Sequence, residues 1–144
     1  MNKQEMKDII QHSFATDSKV GFACMNIYHY LLNEDLDNLK YITFNNLQKV
    51  SNVDQSILYE AITYLSGEKA PILSIGYEYI DGDDIFEISQ DELSKIYSEG
   101  TFYFDGKPVL NWQSKVYIYF YASEFWKGLG KVRISRSFLP KLTR

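Results

Sequence analysis

The stretch that most constrains the fold runs from Thr43 to Leu65. Thr43 offers an N-cap hydroxyl, and Phe44 to Val50 read as a short helix behind it. Ser51, Asn52 and Val53 leave room for a tight turn, after which Asp54 caps a second helix through about Leu65. In that helix Ile57, Leu58, Ala61, Ile62 and Leu65 recur at helical spacing and must face a core. Gln55, Ser56, Tyr59, Glu60, Thr63 and Tyr64 are left facing out. Two helices joined this closely fix the middle of the chain, and the flanks have to be read around them.

Before them, Lys3 to Phe14 reads as a helix with Met6, Ile9, Ile10 and Phe14 toward the body. Thr16, Asp17 and Ser18 cap the next, from about Val20 to Asn33. That helix is apolar almost all round, with Asn26, His29 and Asn33 as a narrow polar stripe, and reads as buried. Tyr41 and Ile42 form a short extended link. After Leu65, Gly67 ends the helix and Pro71 prevents its continuation. Ile72 to Ile80 and Ile85 to Ile88 are extended runs around Asp81-Gly82-Asp83-Asp84, the pattern of a β-hairpin. Ser89 and Glu92 form a capping box for a helix with Leu93, Ile96 and Tyr97 on its apolar side and Gly100 at its end. Thr101 to Phe104 and Lys107 to Leu110, around Asp105-Gly106, read as a second hairpin. Lys115 to Ala122 has strong strand propensity, although Trp112, Val116 and Phe120 also repeat every four residues; the strand reading is preferred.

From Val20 to Ile88 the order is helix, short strand, helix, tight turn, helix, two-stranded wing. In that order, and in Thr43-Phe44-Asn45-Asn46-Leu47, Ser51-Asn52-Val53, Ser56-Ile57-Leu58, Ala61-Ile62 with Leu65 and Ile72-Leu73, the sequence resembles the winged helix-turn-helix superfamily over about half its length. With the flanking elements, the expected fold is α+β: a winged-helix domain with an N-terminal helix over residues 1–100, then a β-rich extension over 101–144 ending in a basic tail. The resemblance implies base-reading positions at Gln55, Ser56, Tyr59 and Thr63. Asn52 stands where such turns often have Gly, and Asn too tolerates a left-handed backbone.

Charge decides between the uses of such a fold. Residues 54–88 contain Asp54, Glu60, Glu68, Glu78, Asp81, Asp83, Asp84 and Glu87 against Lys69 alone, a net of −7. A duplex carries about one phosphate per 1.7 Å of axis and is held largely by Lys and Arg, so this face repels it. The formal net charge of −4 conceals an asymmetry: residues 1–124 carry nineteen acidic and nine basic side chains. After Glu124 come Lys127, Lys131, Arg133, Arg136, Lys141 and Arg144 with no acidic residue. DNA contact, if made, falls to the tail, with Lys131, Arg133 and Arg136 on phosphates. A tail lying on the acidic wing of another copy would give a homo-oligomer that salt weakens.

No residue pattern points to catalysis or to a cofactor. Asp81-Gly82-Asp83-Asp84 lacks the spaced ligands and closing Glu of a calcium loop. Cys24 and His29, five apart on one helix, point in different directions, and His12 and His29 are too few for a zinc cluster. Gly128-Leu129-Gly130-Lys131 lacks the length and trailing hydroxyl of a phosphate loop. Tyr117, Tyr119 and Tyr121 alternate as a nucleotide-stacking platform would, but sheet-covering tyrosines are the preferred reading. One cysteine, no signal-like N-terminus and no long apolar run predict a soluble cytoplasmic protein. The expectation is a non-catalytic adaptor or regulatory subunit that docks a basic protein surface through Tyr59, Glu60, Tyr79, Asp83 and Asp84. The alternative is a DNA-binding transcriptional regulator using Gln55, Ser56, Tyr59 and Thr63 with the tail.

Overall fold

A computed structural model describes residues 1–130 of the chain. Helix α1 (Lys3–Ser13) opens on a capping box between Asn2 and Glu5, and α2 (Lys19–Asn33) is capped by Ser18. After a 3-10 turn at Leu36–Leu39, Thr43 and Asn46 form the capping box of α3 (Phe44–Ser51). Asn52 takes the left-handed conformation, φ 55°, and its N–H closes on the Gln48 carbonyl. Asp54 accepts from the Ile57 N–H to start α4 (Gln55–Leu65). Each helix therefore begins where a short polar side chain satisfies an otherwise orphaned N–H.

Strands β1 (Leu73–Asp81) and β2 (Asp84–Ile88) form an antiparallel hairpin. Gly82 has φ 60° and Asp83 does not turn positive, the pattern of a type II′ turn. Helix α5 (Gln90–Glu99) runs from the Ser89–Glu92 box to a left-handed Gly100. The small hairpin of β3 (Tyr103–Phe104) and β4 (Lys107–Pro108) turns on Asp105 and Gly106, both at positive φ as a type I′ turn requires. A 3-10 turn at Trp112–Lys115 leads into β5 (Val116–Ala122), and α6 (Glu124–Gly128) follows. The class is α+β, with a three-stranded antiparallel sheet in the order β2-β1-β5. The stretch 115–122 is a strand because β1 offers it a free edge: β5 pairs from Leu73↔Ala122 to Tyr79↔Val116. Ile42 bridges to Phe120 on the other side of β5 and not to the hairpin.

The strand period of two divides the sheet into unlike faces. Leu73, Ile75, Tyr77 and Tyr79, with their partners Ala122, Phe120, Ile118 and Val116, share one face, covered at its two ends and exposed at Ile118 between them. Its Leu73 end packs with Leu47, Leu58, Ile62, Ile27 and Leu31 of the helices. Its Tyr79 end packs with Ile88, Leu93, Ile96, Phe102 and Trp112. Each large apolar side chain so buried contributes about 1.5–3 kcal/mol relative to exposure. Helix α6 joins the first cluster through Trp126, whose ring meets Tyr28 edge-on at 5.5 Å and lies under Lys3 Nζ.

Helix α2 departs from the all-round burial its composition suggests. Phe22 and Leu32 are exposed, while Asn26 turns inward and donates its Nδ2 to the Ser51 carbonyl at 2.9 Å. A free carbonyl at the end of α3 needs a donor, and that need places Asn26. No helix among the described residues is long and apolar enough to cross a membrane.

Candidate docking surface

Because Leu58, Ala61, Ile62 and Leu65 enter the core, the helical period turns Gln55, Ser56, Tyr59, Glu60 and Thr63 outward. Tyr59 is 55% exposed, and its ring leans on Phe44 of α3 with centroids 5.2 Å apart. Three side-chain donors of this row bond locally. Gln55 Nε2 donates to Tyr59 Oη at 3.1 Å, Ser56 Oγ to Asp54 Oδ1 at 2.8 Å, and Thr63 Oγ1 to the Tyr59 carbonyl at 2.9 Å. The Ile57 N–H and the Ser56 hydroxyl hold the Asp54 carboxyl below the ordinary range. Tyr59, Glu60 and Thr63 also wall a cleft of 460 Å³ with Phe14, Val20 and Tyr64. Phe14 connects it to a second cleft of 710 Å³, which includes Ile10, Phe22 and Met25.

The acidic residues of the hairpin gather at its tip. Asp81 and Asp84 pair directly across the turn, with Asp83 between them, and all three are exposed. Lys115 Nζ lies 3.2 Å from Asp81 and the Tyr79 hydroxyl donates to the same carboxylate at 3.1 Å, which holds it below its usual range. Asp83 and Asp84 have no ion-pair partner among the described residues.

Tyr79 is buried and offers almost no area to a partner. It is 2% exposed, its ring surrounded by Phe86, Phe102 and Phe104 at centroid distances of 5.2, 5.0 and 5.3 Å. It lies in phase with Leu73 and Ile75, so the strand period carries it to the covered face, and only its hydroxyl reaches Asp81. The sequence-predicted docking set thus loses Tyr79. It also divides in two: Tyr59 and Glu60 belong to the α4 cleft, and Asp83 and Asp84 to the hairpin tip. Lys131, Arg133 and Arg136 lie outside the described residues.

The opposite face of the sheet was not singled out by sequence reasoning as a site. Register places Ser74, Gly76 and Glu78 of β1 beside Tyr121, Tyr119 and Tyr117 of β5, with Glu87 of β2 opposite Glu78. Gly76 makes the arrangement possible: a Cβ there would come within 2.6 Å of Tyr119 Cε1 and Oη. The Tyr119 ring can therefore cross β1 and donate to Glu87 Oε1 at 3.2 Å. Tyr41 stacks on Tyr119 at 4.5 Å, and the Tyr121 ring lies 5.9 Å from it. Burial and the charges of Glu87 and Glu78 push the Tyr119 hydroxyl up to about 12. The Glu78 carboxylate likewise raises that of Tyr41. The legible signal was the alternation of Tyr117, Tyr119 and Tyr121 together with a glycine inside the facing strand.

Cys24 is fully buried, and desolvation raises its thiol to about 12, which keeps it protonated. His29 is exposed on the same helix. Comparison with protein-family models, with curated proteins and with solved structures finds no match to this chain.

Proposed function

We propose that the chain is a non-catalytic winged-helix adaptor or regulatory subunit of the cytoplasm, docking a protein partner with a basic surface. The order α2, Ile42, α3, turn, α4, hairpin supports the winged-helix reading. The observation that carries the docking reading is the imbalance over residues 54–88. Eight carboxylates stand against Lys69, and among the described residues only Asp81 has a basic partner, Lys115. The surface is offered by Tyr59 and Glu60 on α4 and by Asp83 and Asp84 at the hairpin tip. Unpaired surface carboxylates steer a basic partner into encounter, and the exposed Tyr59 ring supplies contact area.

The test is binding of a lysine- and arginine-rich peptide to the full chain, measured against salt. Reversing the tip with Asp83→Lys and Asp84→Lys, or α4 with Glu60→Lys, slows association and flattens the salt dependence. Association unchanged in both variants would remove this surface from the reading.

A DNA-binding regulator is the second reading, favoured by the row of Gln55, Ser56, Tyr59 and Thr63 along the exposed side of α4. Against it stands the surrounding charge.

A further inference from the structure

The open face of the sheet combines stacked aromatic rings with carboxylates that have no counter-charge among the described residues. Glu78 and Glu87 are direct cross-strand partners. Like charges so placed are destabilising. Among the described residues neither forms an ion pair with a Lys or Arg. Tyr119 supplies one hydroxyl to Glu87 and its own ring is buried, while Tyr41, stacked on it, is about half exposed and Tyr121 beside it half-buried. Rings beside carboxylates suit a guanidinium, which lies flat on an aromatic face while its N–H groups reach a carboxylate at the edge.

We propose that Glu78, Glu87 and the rings of Tyr41 and Tyr121 seat the basic segment 131–144 of the same chain. That segment holds Lys131, Arg133, Arg136, Lys141 and Arg144 and no Asp or Glu, the complement of this face. It starts from Gly130, whose N–H is bonded to the Met1 carbonyl at 3.2 Å. An extended segment of this length spans up to ~46 Å, against a radius of gyration of about 15 Å for a chain of this size. The face is therefore within its reach. Single exposed ion pairs are weak, but tethering holds the segment at an effective concentration in the millimolar range. The seat shares no residue with Tyr59, Glu60, Asp83 or Asp84, so its failure leaves the docking reading standing, and the reverse.

Zero-length carbodiimide coupling on the full chain, with the joined peptides mapped by mass spectrometry, tests the seat. Coupling of the Lys141 amine to Glu78 or Glu87 within one molecule is expected at low salt. It should be lost in ~1 M salt, where the screening length falls to about 3 Å. The double variant Arg133→Gln, Arg136→Gln alters no residue of the described core and should shift the ring signals of Tyr41 and Tyr121 in NMR spectra. The proposal is overturned by coupling of Lys141 to Asp83 and Asp84 alone, by coupling spread over all exposed carboxylates, or by coupling only between two copies in isotope-mixed protein. The absence of coupling, or ring signals that stay in place, overturns it as well.

Discussion

Gly76 is the residue on which the open sheet face turns. A methyl group there overlaps the outer ring of Tyr119, so Gly76→Ala must swing the ring away, breaking its bond to Glu87 and its stack on Tyr41. The expected cost is about 1–3 kcal/mol, the range for overpacking a fitted contact, measured by chemical denaturation. The same change has a signature in pH. Tyr119 ionises near 10.0 when unfolded and about 12 when folded, so folding favours its protonated form. Its contribution to stability is complete below pH 10.0 and is lost as the pH rises toward about 12. In NMR-monitored alkaline titration Tyr119 should remain protonated beyond 10.0 in the native chain and titrate closer to 10.0 in Gly76→Ala. A native Tyr119 that ionises with the ordinary tyrosines would contradict the geometry. Tyr79 shows the effect of strand phase on a single residue. Its side chain suits a contact surface, but strand phase buries it, and that phase was legible from Leu73 and Ile75 on the same strand.

The helical elements were legible because their signals are local. Thr43, Asp54 and Ser89 each cap the helix that follows, and Asn52 takes the left-handed turn that ends α3. This turn carries a prediction. Asn52→Ala keeps the size small but loses tolerance of positive φ, and should cost about 1–2 kcal/mol, whereas Asn52→Gly should match or exceed the native stability in thermal unfolding. Equal stability of the alanine and glycine variants would mean that the turn relaxes to another conformation. Strand β5 was less legible because its partners are remote. What makes Val116–Ala122 a strand is the edge of β1 about forty residues earlier and the Ile42 bridge farther back still. The helical repeat of Trp112, Val116 and Phe120 came from the chain passing between two cores. Trp112 and Val116 pack in one and Phe120 in the other. Of the open face only the row Tyr117, Tyr119 and Tyr121 was legible, since Tyr41, Gly76 and Glu87 join Tyr119 only through pairing in the sheet.

For the whole molecule, the separation of charge sets what it can bind. Residues 1–130 hold nineteen acidic and ten basic side chains, and residues 131–144 add five basic ones. A cut at Glu124 would be a poor way to separate these parts, because it removes Trp126 and Leu129 from the core. Neutralisation is cleaner: Lys131, Arg133, Arg136, Lys141 and Arg144 all replaced by Gln in the full-length chain. If phosphates are engaged by the segment alone, binding of the native chain to random-sequence duplex DNA should fall with salt, with a logarithmic slope of about −4 to −5. The neutralised chain should then show no binding even at low salt, because what remains is a body of net −9 facing a polyanion. The slope also counts contacts: a segment held partly on Glu78 and Glu87 leaves fewer cations for phosphate, and the slope becomes shallower. The opposite pattern, binding that survives neutralisation but is lost in Gln55→Ala or Tyr59→Ala, would put α4 in the groove and make the regulator reading the better one.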